Sequence, residues 1–327
     1  GKDYNILLLK DQRKYLLNRS SLYFIIIFNF TNNSSPTTGL QITSGSVDIN
    51  TVNIKDPTNE FVKLVSHSGT INDLKLDTTT TYNKTFVDIS SGVTTTFTNT
   101  DSNDNGIYIK GTLDHNGSVG IIVDDDTSKT IPDLVIDSGD TLILSTDIKL
   151  PSNLVVNGTI TSDGKTFTTT GTGNVSVNSE SSIQSTTFDS CGLIKLTSLD
   201  TNSVMETLTL NNCTGMQVSG GSVDISTLVI KNASSQFLVI DSSHSGTISN
   251  FTIDTNNSHD LSFINLASGV TTTFNNVFIK GDFQHSGTKN VLIDRNNDTN
   301  ITIPDLLIKS GDTLTLSSNI TLPSNLT

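Results

Sequence analysis

The stretch Leu208–Ile230, LTLNNCTGMQVSGGSVDISTLVI, decides the fold. It opens on Leu208-Thr209-Leu210 and closes on Leu228-Val229-Ile230, two short strand-like segments. Apolar residues at period two line one face of a strand. Between them lie Asn, Gly, Ser and Asp, which form turns rather than helices. The same unit recurs along the chain at Leu154–Ile160, Val175–Val177, Leu193–Leu196, Phe251–Ile253, Val277–Ile279, Val291–Ile293, Leu306–Ile308 and Leu314–Leu316. Two or three such strands fill about 20–25 residues, the length of one coil of a solenoid whose coils stack about 4.8 Å apart. No helical stretch separates the strands, which excludes βαβ units. The expectation is an all-β protein, a right-handed parallel β-helix of roughly 13 coils.

A longer period encloses the short one. GSVDI stands at Gly45–Ile49 and Gly221–Ile225, SHSGTI at Ser66–Ile71 and Ser243–Ile248, and SGVTTTF at Ser91–Phe97 and Ser268–Phe274. IPDL, SGDTL and LPSN follow in the same order in both copies. Residues 39–153 and 215–325 are therefore equivalent halves of a tandem repeat, with 154–214 between them, inside one continuous β-helix over 39–327. Residues 1–38 differ. Lys2, Lys10, Arg13, Lys14 and Arg19 precede the apolar run Ser21–Phe30, and a polar run follows. That pattern fits a secretory signal and equally fits an N-terminal cap over the open end of a solenoid. The apolar run is too short for a transmembrane span, which needs about 20 residues.

Composition narrows the function. The chain has 327 residues and a formal net charge of -13, and aromatics make up 6% with no Trp. An acidic chain without Lys/Arg clusters is unsuited to nucleic acid. Sixteen Asn-X-Ser/Thr sequons, among them Asn83, Asn157, Asn232 and Asn319, are glycosylation candidates and fit an extracellular or cell-surface location.

Gly220-Gly221-Ser222-Val223 is similar to the Gly-Gly-x-aliphatic motif of repetitive surface proteins, and Phe97-Thr98-Asn99 and Phe274-Asn275-Asn276 approximate their Phe-x-x-Asn motif. With its coil spacing, the chain resembles the pectin-lyase-like β-helix superfamily. Within that superfamily it resembles autotransporter-passenger and polymorphic outer-membrane-protein-type adhesins. The resemblance implies a stalk or adhesin that meets glycans or cell-surface proteins through exposed turns, with neighbouring repeats of the same chain as its internal partners. It also implies an alternative, a polysaccharide lyase or glycoside hydrolase.

Such hydrolases use paired carboxylates. The catalytic candidates are Asp124, Asp125 and Asp126 in the first copy, and Asp294 with Arg295 in the second, where the acidic triplet is not kept. Asp101, Asn103 and Asn105, followed by Gly106, resemble half of a calcium loop, so Ca²⁺ is the one cofactor candidate. The position that should carry a bidentate Glu is Thr112, and a solvated turn is the better reading. His67 and His244 recur in HSGT, either as a turn element or as an acid–base or metal group. Cys191 and Cys213, 22 residues apart, read either as buried small side chains in a ladder or as a disulfide between neighbouring coils. Thr runs such as Thr168–Thr170 and Thr271–Thr273 raise a third function, an ice-binding solenoid, although they do not recur in every coil.

Overall fold

The computed structural model describes residues 23–30, 40–46, 48–55, 61–72, 74–78, 81–82, 87–90, 96–98, 106–115, 122–124, 133–136, 138–144, 147–150, 153–162, 164–169, 173–255, 258–259, 263–267, 270–280, 282–285, 293–294, 306–308, 313–316 and 325–327. Among them every regular element is a strand, and every strand pairing given below is parallel. The protein is a parallel β-solenoid. No helix among these residues is long and apolar enough to cross a membrane.

The chain divides into two compact units, residues 1–158 and 159–327. In the second unit one sheet runs through Val175–Val177, Leu193–Thr197, Gly215–Gly221, Leu238–His244 and Ile264–Leu266. A second sheet runs through Thr166–Thr169, Thr186–Asp189, Met205–Asn211, Ile225–Lys231, Thr247–Asp254 and Thr273–Lys280. Because every strand alternates, like side chains stack in columns. Val177, Leu196, Val218, Ile240 and Leu266 make one buried column, and Phe167, Phe188, Leu210, Ile230 and Ile253 make another. Each fully buried side chain of this size contributes about 1.5–3 kcal/mol by leaving water. Phe167 and Phe188 stack with centroids 6.1 Å apart, and Phe237 meets Phe263 edge-on at 5.4 Å.

The first unit repeats the scheme. Leu40–Ile42, Val62–Leu64 and Val87–Ile89 stack in register, as do Asp48–Lys55, Leu74–Thr78 and Gly106–His115. Its core columns include Leu40 under Val62 and Val87, and Val52 under Leu74, all buried. Tyr23–Phe30, the end of the apolar run read as signal or cap, is a strand parallel to Asp48–Lys55.

In the second unit the second sheet stacks seven strands, Thr166–Thr169 through Leu306–Ile308, which makes about seven turns; roughly 13 coils were expected over the whole of 39–327. Segments such as 286–292 and 295–305 lie outside the described residues. The coils are unequal. Val175 pairs with Ile194 after 19 residues, but Ile264 pairs with Ile293 only after 29.

Candidate functional site

The recurring GSVDI and HSGT segments meet on successive coils. In the second unit Asp224 Oδ1 accepts the Thr247 backbone N–H at 2.7 Å, and Gly221 O accepts the Ser245 N–H at 3.0 Å. In the first unit Asp48 Oδ1 accepts the Thr70 N–H at 2.8 Å, and Gly45 O accepts the Ser68 N–H at 3.1 Å. The repeated words are thus the two halves of one clasp, made twice.

The histidine of HSGT lies inside the clasp. His244 is fully buried and His67 is 2% exposed. His244 Nε2 lies 3.1 Å from Val223 O, and Nδ1 lies 2.7 Å from Thr272 Oγ1. A carbonyl only accepts, so Nε2 carries the proton and donates to Val223. Nδ1 then accepts from the Thr272 hydroxyl. The ring bridges the coil before it and the coil after it. Burial holds its pKa below the ordinary imidazole value, while the Val223 carbonyl and the nearby Asp224 partly counteract that. Two glycines make room for this arrangement. At Gly246 a Cβ would sit 2.0 Å from Val223 O. Gly221, at φ +88°, approaches the Leu199 backbone so closely that a Cβ would lie 2.1 Å from its oxygen. Gly220 is also left-handed, at φ 73°, so the Gly-Gly pair marks a backbone turn that other residues enter at a cost.

The cysteines form a second stacked pair. Strands Leu193–Thr197 and Gly215–Gly221 follow them in register, Leu193 opposite Gly215. Both are free thiols, 4% and 1% exposed. Their surroundings match. Cys191 Sγ lies 3.4 Å from Asp189 O and 3.8 Å from Phe167 O, and Cys213 Sγ lies 3.4 Å from Asn211 O and 3.3 Å from Phe188 O.

The outward face of the second sheet is a polar column. Asp189, Asn211, Lys231, Asp254 and Lys280 stand in register on successive coils. Asn211 Nδ2 donates to Asp189 Oδ1 at 2.8 Å. Asp254 lies between Lys231 at 3.9 Å and Lys280 at 3.8 Å. These pairs are half-exposed, so each contributes well under about 1 kcal/mol. Beside them runs a hydroxyl column, Thr166, Thr187, Thr209 and Thr252, interrupted by Val229 and Phe278. The turn after this sheet repeats Ser190, Asn212 and Asn232, all left-handed at φ 53°, 52° and 49°.

The remaining sequence candidates scatter. Asp101, Asn103, Asn105, Asp125, Asp126, Arg295, Asn83 and Asn319 lie outside the described residues. Asp124 ends the strand Ile122–Asp124 beside Ile89, and Asp294 ends Ile293–Asp294 beside Asn265. Asn157 follows a strand and donates its backbone N–H to Ile136 O at 2.8 Å. Asn232 donates from Nδ2 to Asn212 Oδ1 at 3.5 Å. Among the described residues no group of three or more His, Cys, Asp or Glu could hold a metal ion. No family model, curated protein or solved structure matches the chain. Sequence reasoning left the inward seat of His244 undecided. The available signal was the pairing of HSGT with a GSVDI one coil earlier.

Proposed function

We propose that the chain is a structural stalk or adhesin segment of an extracellular or cell-surface protein, of the repetitive β-helix type that Gly220-Gly221-Ser222-Val223 resembles. The observation that carries this reading is the use made of the recurring polar residues. Asp48, Asp224 and His244 are committed to bonds between coils. In a solenoid each repeat buries its core only against its neighbours, so bonds of this kind hold the array together along its length. The outward columns of Thr, Asn, Asp and Lys present a repeated polar surface suited to contacts with glycans or proteins.

Two measurements test the two halves of the proposal. Stretching the protein between its termini by single-molecule force spectroscopy should give stepwise coil-by-coil unfolding. A single low-force collapse would remove the load-bearing role. Glycan arrays and whole-cell binding should give a ligand whose binding weakens on charge reversal at Lys231 or Asp254. Absence of binding across both formats would leave a stalk without adhesion.

A further inference from the structure

We infer that Cys191 and Cys213 form a redox-convertible staple, which a small-molecule disulfide such as glutathione disulfide closes into an intrachain bond across two successive coils. The pair sits at equivalent places on those coils, each sulfur against the carbonyl of the residue two before it and a carbonyl of the preceding coil. Coils stack at about 4.8 Å, within the 4.4–6.8 Å that a disulfide needs between Cα atoms. Both thiols are free and buried, and no third cysteine competes.

The exchange runs in two steps. Once the coil opens, the thiol of either residue, Cys191 for example, loses its proton to solvent and the thiolate attacks one sulfur of the small disulfide. That S–S bond breaks, one small thiolate leaves, and a mixed disulfide forms on Cys191. Cys213 then loses its proton to solvent and attacks the Cys191 sulfur, expelling the second small thiolate. Two protein thiols are oxidised and one small disulfide is reduced to two thiols. Because both sulfurs are buried, the exchange takes place while the coil is opening or folding, and the closed bond then fixes the 22-residue coil between them.

The test is refolding of the full chain from urea with glutathione disulfide, followed by thiol titration in denaturant and peptide mapping. The expected result is loss of both thiols, a cross-linked peptide joining Cys191 to Cys213, slower amide exchange over residues 189–215 and a higher unfolding midpoint than the reduced protein. Cys213→Ser and Cys191→Ser should each trap glutathione on the cysteine that remains. Two free thiols after equilibration, or links only between molecules, would overturn the proposal. Should either serine variant misfold, the comparison of oxidised with reduced wild-type protein decides alone. The inference rests on coil geometry, so failure of the stalk reading would not touch it.

Discussion

Asp224 holds Thr247 from the coil below it, carboxylate oxygen to backbone N–H at 2.7 Å, and Asp48 holds Thr70 in the same way at 2.8 Å. A charged acceptor on a backbone donor is among the stronger hydrogen bonds in proteins. Asp224→Ala should cost about 1–2 kcal/mol, moderated by exposure to water. Urea denaturation would measure it, and the Thr247 amide should exchange faster in the variant. Unchanged exchange at Thr247 would show that the bond contributes nothing.

The histidine of the same clasp predicts acid sensitivity. Burial lowers the folded-state pKa of His244, so the unfolded chain takes up the proton first as pH falls. Stability should be undiminished above the ordinary imidazole value of about 6.5 and should decline as pH drops through and below it. Unfolding midpoints taken between pH 8 and 5 should slope downward for the wild type and less steeply for His244→Asn. Parallel slopes would contradict the prediction.

Gly246→Ala should be among the most damaging single-methyl changes. Its new Cβ would meet the Val223 carbonyl at 2.0 Å, a backbone atom that cannot swing aside. A loss of about 3 kcal/mol or more is expected. Gly139→Ala, at φ +82° with nothing near the added carbon, should cost only the strain of its left-handed backbone. Equal midpoints for the two variants would show that the close approach is unimportant.

Phe188→Ala removes the centre of a continuous column between Phe167 and Leu210. The expected cost is about 3–5 kcal/mol. Because each coil supports its neighbours, the variant should unfold in two phases rather than one. Calorimetry would resolve them.

The solenoid was legible because its code is local. Leu208–Leu210, Leu228–Ile230 and Phe251–Ile253 each announce a strand, and turn residues separate them. The stacking of Cys191 on Cys213 was legible from an offset equal to one coil. The clasp was harder to see. HSGT looks like solvent-facing punctuation, and only the fold turns His244 inward between Val223 and Thr272. The length of each coil was illegible because the period drifts, as the long step from Ile264 to Ile293 shows.

That uneven step has an evolutionary corollary. Residues gained or lost at a corner of the winding leave the inward columns in phase, whereas a single insertion inside Leu228–Ile230 would turn every later side chain of that strand to the opposite face. Corners such as the one between Lys231 and Leu238 are thus where lineages of this protein can lengthen, shorten and diversify without rebuilding the interior.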